Sequence, residues 1–173
     1  SADITFAVSG VTYIGWPVSG DEYYSTRPSG AQATWDADGG TYAEFSFNSA
    51  SFELNITANT VTMHRIKVNQ KATNADAIAL GSTITGFKMY NCYVGNSNAS
   101  GVAATTLFSL TGSNTDCVFQ GCTFFTTTFA PAGSTAFINV GGARNSFLNC
   151  TISITSCAPN SSTLNSVFMV SAA

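Results

Sequence analysis

The chain has 173 residues, a net charge of −3 and only 9% charged side chains, against about 25% in ordinary globular proteins. The length suits one domain with a real core, and the weak negative charge speaks against a nucleic-acid or anionic-membrane footprint. No apolar run is long enough for a transmembrane helix. Polarity comes instead from Ser, Thr and Asn, 58 residues together.

The chain starts at Ser1 with no charged-then-apolar leader, as expected either after removal of an initiator methionine or in a processed secreted chain. Synthesis in the cytoplasm is the favoured expectation. Five cysteines leave at least one thiol unpaired. Residues 4–8 (ITFAV) and 42–47 (YAEFSF) alternate as strands do. Between them lies GWPVSGDEYYSTRPSG (15–30), an irregular, proline-punctuated stretch. Both tryptophans and six of the nine acids fall before residue 52. Aromatics with an arginine among them are typical interface anchors. Residues 1–51 are therefore expected to be an N-terminal arm or cap, with Trp16, Tyr23, Tyr24, Arg27 and Trp35 as candidate attachment residues. The plainer reading is a plug for the lower end of a domain formed by residues 52–173.

From residue 52 onward the chain repeats. Val61-x-Met63-x-x-Ile66-x-Val68 returns as Phe87-x-Met89-x-x-Cys92-x-Val94. It recurs as Cys117-x-Phe119-x-x-Cys122-x-Phe124 and as Asn145-x-Phe147-x-x-Cys150-x-Ile152. A second column reads Phe52-x-Leu54, Ile78-x-Leu80, Phe108-x-Leu110, Ile138-x-Val140 and Phe168-x-Val170. Short alternating runs are strands with one inward face. The Gly, Asn, Ser and Thr stretches between them are turn chemistry, and no segment carries a long helical stripe. The expected architecture is a stack of two- or three-stranded coils, in which each coil buries the face of its neighbour. Four coils and the start of a fifth would span residues 52–173. Turns at 95–106 and 125–136 are free to bulge outward.

Cys92, Cys122 and Cys150 then occupy the rung that Ile66 fills, as packed thiols. A straight column neither converges on a metal nor brings adjacent rungs to disulfide distance.

Coils of this length with Asn, Cys and Val/Ile/Phe rungs resemble right-handed parallel β-helix proteins of the pectate-lyase-like kind, over residues 52–173. The resemblance implies an all-β fold of about four to five coils. It admits polysaccharide lyases and hydrolases, phage tailspikes, adhesins and phage capsid-decorating knobs, and the site must decide among them.

Hydrolysis of glycosides needs two carboxylates about 5–9.5 Å apart, and the acids of the repeat region, Glu53, Asp76 and Asp116, read as isolated. Calcium needs converging oxygens, and residues 81–173 hold one acid. His64 reads as a surface residue in an outward column with Tyr90, Gln120 and Leu148. The column Lys67, Tyr93, Thr123, Thr151 is no threonine ladder of the ice-binding type. No catalytic residue, cofactor or metal is expected. The sequence thus points to a structural virion protein, a phage capsid decoration (cement) protein. Its arm would bind the major capsid protein on the outer surface of the particle and its β-helix would project. The resemblance suggests a homotrimer, with weak glycan contact as a further partner. The alternatives are a tailspike or adhesin that contacts polysaccharide and, third, a polysaccharide-degrading enzyme.

Overall fold

The computed structural model describes residues 3–15, 43–72, 76–98, 107–110, 113–129, 136–157 and 166–170. Among them are strands and no helix, arranged as successive coils. Coil 1 holds β1 (Ile4–Phe6), β2 (Thr12–Ile14) and β3 (Glu44–Phe47). Coil 2 holds β4 (Leu54–Ile56), β5 (Thr62–His64) and β6 (Lys67–Gln70). Coil 3 holds β7 (Ile78–Leu80), β8 (Lys88–Tyr90) and β9 (Tyr93–Asn96). Coil 4 holds β10 (Phe108–Leu110), β11 (Val118–Gln120) and β12 (Thr123–Phe129). Coil 5 holds β13 (Ala136–Val140), β14 (Ser146–Leu148) and β15 (Thr151–Cys157), and β16 (Ser166–Val170) opens a sixth.

Each coil gives one strand to each of three sheets. The first sheet runs β1-β4-β7-β10-β13-β16, the second β14-β11-β8-β5-β2 and the third β15-β12-β9-β6-β3. All pairings are parallel. This is an all-β, right-handed parallel β-helix, with the hand that crossovers between parallel strands take for L-residues. The stack is one coil taller than the sequence reading counted. At about 4.8 Å per rung, six rungs of the first sheet span about 24 Å.

Inward positions form continuous ladders. Tyr13, Met63, Met89, Phe119 and Phe147 are register partners through the second sheet, and Phe45, Val68, Val94, Phe124 and Ile152 through the third. Met63, Met89, Phe119, Val68, Val94 and Phe124 are fully buried. Each such side chain contributes about 1.5–3 kcal/mol by leaving water.

The register of the first sheet differs from the sequence reading in coil 2. Leu54 pairs with Ile78 and Ile56 with Leu80, so the inward pair is Leu54–Ile56 and not Phe52–Leu54. The error came from a corner of variable length. Leu80 to Met89 and Leu110 to Phe119 span nine residues, but Ile56 to Met63 spans seven. The two extra residues of coils 3 and 4 form a small rung of their own. There Ile84 and Asn114 are buried, Ile84 N–H donates to Asn114 Oδ1 at 3.1 Å, and Thr85 pairs with Thr115.

The larger correction concerns residues 1–51. β1, β2 and β3 pair in register with β4, β5 and β6, so coil register begins at Ile4, not near residue 52. By the same registers Gly15 stands over Arg65 and Ala43 over Ile66, two consecutive residues of coil 2. Residues 16–42 are thus an insertion of 27 residues at one corner of coil 1. Without it the spacing from Ile4 to Leu54 falls from 50 to 23, close to the 24 from Leu54 to Ile78. The insertion hid the periodicity.

The corners are stacked as regularly as the strands. Gly10, Thr60, Gly86, Asp116 and Arg144, all at positive φ, turn the chain from the first sheet to the second. Arg65, Asn91, Gly121 and Asn149, also at positive φ, turn it from the second to the third. A left-handed residue closes the bend in one step, at a cost of about 1–3 kcal/mol for a non-glycine. The corner from the third sheet back to the first is held by buried amides. Gln70, fully buried, donates to Phe52 O at 2.8 Å and Asp76 O at 3.2 Å and accepts from the N–H groups of Lys71 and Ala72. Its partner one rung up, Asn96, donates to Ala72 O at 2.8 Å and accepts from Asn98 N–H at 2.9 Å. The bulge expected from residue 125 starts later, because β12 runs on to Phe129.

Candidate functional site

The cysteine column is a stack of carbonyl-capping thiols. Cys92 Sγ donates to Met63 O at 3.6 Å, Cys122 Sγ to Met89 O at 3.5 Å and Cys150 Sγ to Phe119 O at 3.3 Å, each one coil below. All three are free, as is Cys117. Cys92 and Cys122 are buried as expected, but Cys150 is only half-buried, because β14 and β15 end their sheets. The hydrogen bond to Cys122, and then burial, push the Cys150 thiol well above its ordinary range. Thiols so held are poor nucleophiles.

Asn145, the one polar residue in its column, is accounted for. Its amide donates to Asn114 O at 2.9 Å and Gly141 O at 2.8 Å and accepts from Cys117 N–H at 2.9 Å. His64 lies where expected, in an outward column with Ile14, Tyr90, Gln120 and Leu148. Its ring stacks on Tyr90 at 4.7 Å, and burial lowers its pKa.

The acids are less isolated than the sequence suggests. Asp3, Glu53 and Asp76 precede β1, β4 and β7 at one corner, and Asp3 Oδ1 accepts from Glu53 N–H at 3.2 Å. Burial, and then Asp3, raise the Glu53 pKa. Burial, and then Glu53, push Asp76 up to about 7. Asp3 and Glu53 share one register position ahead of a first-sheet strand and Asp76 lies one residue earlier, a signal that the mis-phased register concealed. Asp116 has another role. Arg144, one rung above, donates to both its oxygens at 2.6 and 2.8 Å and holds its carboxyl below the usual range. Among the described residues no group of three His, Cys, Asp or Glu side chains is placed to hold a metal.

The third sheet carries a cleft of about 230 Å³ lined by Tyr93, Phe125, Thr126, Thr127, Ser153 and Thr155. Gly95 creates it. A Cβ there would collide with the Phe125 ring, so without one the ring folds down and stacks on Tyr93 at 4.1 Å. Lys67 lies 5.7 Å from the centre of the Tyr93 ring and pairs with Glu44 at 3.4 Å. Leaning one coil down, Phe125 leaves open space above itself, beside Ser153 of β15. The sequence reading noted the Thr-rich strand but not the Gly95–Phe125 pairing that shapes the cleft.

The candidate attachment residues Trp16, Tyr23, Tyr24, Arg27 and Trp35 lie outside the described residues. What is described is how their segment is anchored. On one side Gly15 N–H donates to His64 O at 2.8 Å, and on the other Ala43 O accepts from Lys67 N–H at 3.0 Å. No protein-family model matches the chain, and neither a curated protein nor a solved structure does.

Proposed function

We propose that the protein is a structural component of a virus particle, a phage capsid decoration protein. In this reading residues 16–42 grip the major capsid protein on the outer surface and the β-helix projects from it, three copies together. The observation that carries the attachment is the insertion itself. Coil 1 closes in register on coil 2 on both sides of a segment of 27 residues, where coil 2 turns the same corner with Arg65 and Ile66 alone. The coil does not need these residues to close, and they hold both tryptophans and Arg27, side chains suited to interface anchoring. The shape and the few charges favour a rod made for packing and display. The reading assigns no catalysis to Asp3, Glu53 and Asp76, which gather at one corner and are not among the residues lining the cleft.

The test is a splice. Joining Gly15 directly to Ala43 reproduces the Arg65–Ile66 corner and removes only the insertion. The expected product is a folded rod that no longer sediments with capsids. A spliced rod that stays folded and decorates particles with unchanged affinity overturns the assignment. So does release of oligosaccharide from bacterial surface polysaccharide by the full chain, since the reading is non-enzymatic.

A further inference from the structure

We propose that the cleft on the third sheet binds one neutral pyranose unit of a glycan. This inference is independent of how the protein is attached, because the cleft belongs to coils 3–5 and the insertion to coil 1. Among the described residues no ionisable group other than the Tyr93 phenol lines the cleft, which disfavours a charged ligand. Phe125 is half-exposed and offers an apolar ring to the C–H face of a sugar, while Thr127, Ser153 and Thr155 offer hydroxyls at its rim. The Thr127 hydroxyl already donates to Asn98 O, which fixes it with its lone pairs free to accept from a sugar hydroxyl.

Two buried polar groups on the same sheet face lie outside the cleft. Thr123, two residues before Phe125 on β12 and facing the same side, is 3% exposed, and its Oγ1 has no hydrogen-bond partner. Asn69, in the column that continues through Gly95 and Phe125 to Ser153, is 5% exposed with an unpartnered Oδ1. Both atoms are covered and neither residue lines the cleft, so the polar contacts open to a ligand are the hydroxyls of Thr127, Ser153 and Thr155. Small-molecule sites join aromatic surface to placed polar groups that fix orientation, and this cleft, with two aromatic rings beside Thr and Ser hydroxyls, has both.

The full chain, labelled with ¹⁵N, is titrated with oligosaccharides of glucose, galactose, mannose and N-acetylglucosamine, and with galacturonate oligomers as an anionic control. The expected result is that at least one neutral series shifts the amide signals of Phe125, Thr127, Ser153 and Thr155 as a saturable set. Phe125→Ala should weaken that binding about tenfold, the effect of losing an aromatic contact of about 1.4 kcal/mol. Ser153→Phe, which fills the cleft from an outward position, should abolish it. Both variants should keep the remaining spectrum and still bind capsids, which separates this site from the attachment segment. Failure of every neutral series to shift these signals overturns the proposal. Shifts that persist in Ser153→Phe, or tighter binding of galacturonate than of any neutral series, do so as well.

Discussion

Asp76 is held where a carboxylate is hard to ionise, in a corner shared with Glu53, and its pKa stands at about 7. The folded protein therefore binds this proton more tightly than the unfolded chain, whose Asp titrates near 3.8. Stability from this group is fully present below about pH 4, declines as pH rises through about 7 and is level above that. The span corresponds to about 4 kcal/mol at most, less whatever solvent reaches the group. Asp76→Asn should thus raise the melting temperature by several degrees at pH 8 and change it little at pH 4. An equal shift at both pH values would show that the carboxyl is not the cause. Glu53 acts in the same direction. Gln70 is the complementary case, since its amide satisfies a whole corner. Gln70→Leu keeps the bulk but removes the donor to the Phe52 and Asp76 carbonyls and the acceptor of the Ala72 N–H, at about 1–3 kcal/mol for each group that water cannot reach. The Lys71 N–H keeps Phe47 O at 2.7 Å. Chemical denaturation should show a loss of at least about 3 kcal/mol, and a near-neutral result would mean that water enters the corner. Asn98, which looks like an idle turn residue in the sequence, donates to Lys71 O at 2.7 Å. Asn98→Ala should therefore cost about 1 kcal/mol.

At the scale of the element, the strands were legible and the corners were not. The columns through Met89, Phe119 and Phe147 and through Val94, Phe124 and Ile152 stand in the structure as they read in the sequence. A side chain that must face inward at every rung leaves a periodic trace. Corners leave none, because a left-handed Arg65, Asn91 or Gly121 closes the same bend. That freedom in length and type displaced the Phe52–Leu54 register and hid coil 1 behind residues 16–42. It also kept Asp3, Glu53 and Asp76 apart on paper. The cleft was illegible for another reason, since it depends on an absent side chain, the Cβ of Gly95, one coil below the ring it shapes. Depth within the stack should also govern reactivity. Cys92, Cys117 and Cys122 should resist thiol labelling until the rod unfolds, while Cys150, on the uncovered last strand pair, should label first. Simultaneous labelling of Cys122 and Cys150 in the native state would mean that the upper coil is not docked. Phe119, packed against Phe87, Phe108, Phe124 and Phe147, joins three coils, and Phe119→Ala should lose about 3–5 kcal/mol.

For the whole molecule, the repeat has a consequence for size. The step from Ile78 to Phe108 and the step from Phe108 to Ile138 are both thirty residues, and coils 3 and 4 share the longer first corner. Coil 4 is therefore interchangeable with a copy of itself. Duplicating residues 108–137 in tandem would set Phe119 over Phe119, much as Phe119 already stacks on Phe147 at 4.6 Å, and would continue the thiol column by one member. Small-angle scattering should show a particle longer by about 4.8 Å, with cooperative unfolding retained because each repeat binds only its neighbours. Reach above a surface would then be a whole number of rungs, adjustable by gene duplication without altering the end that holds on or the face that recognises.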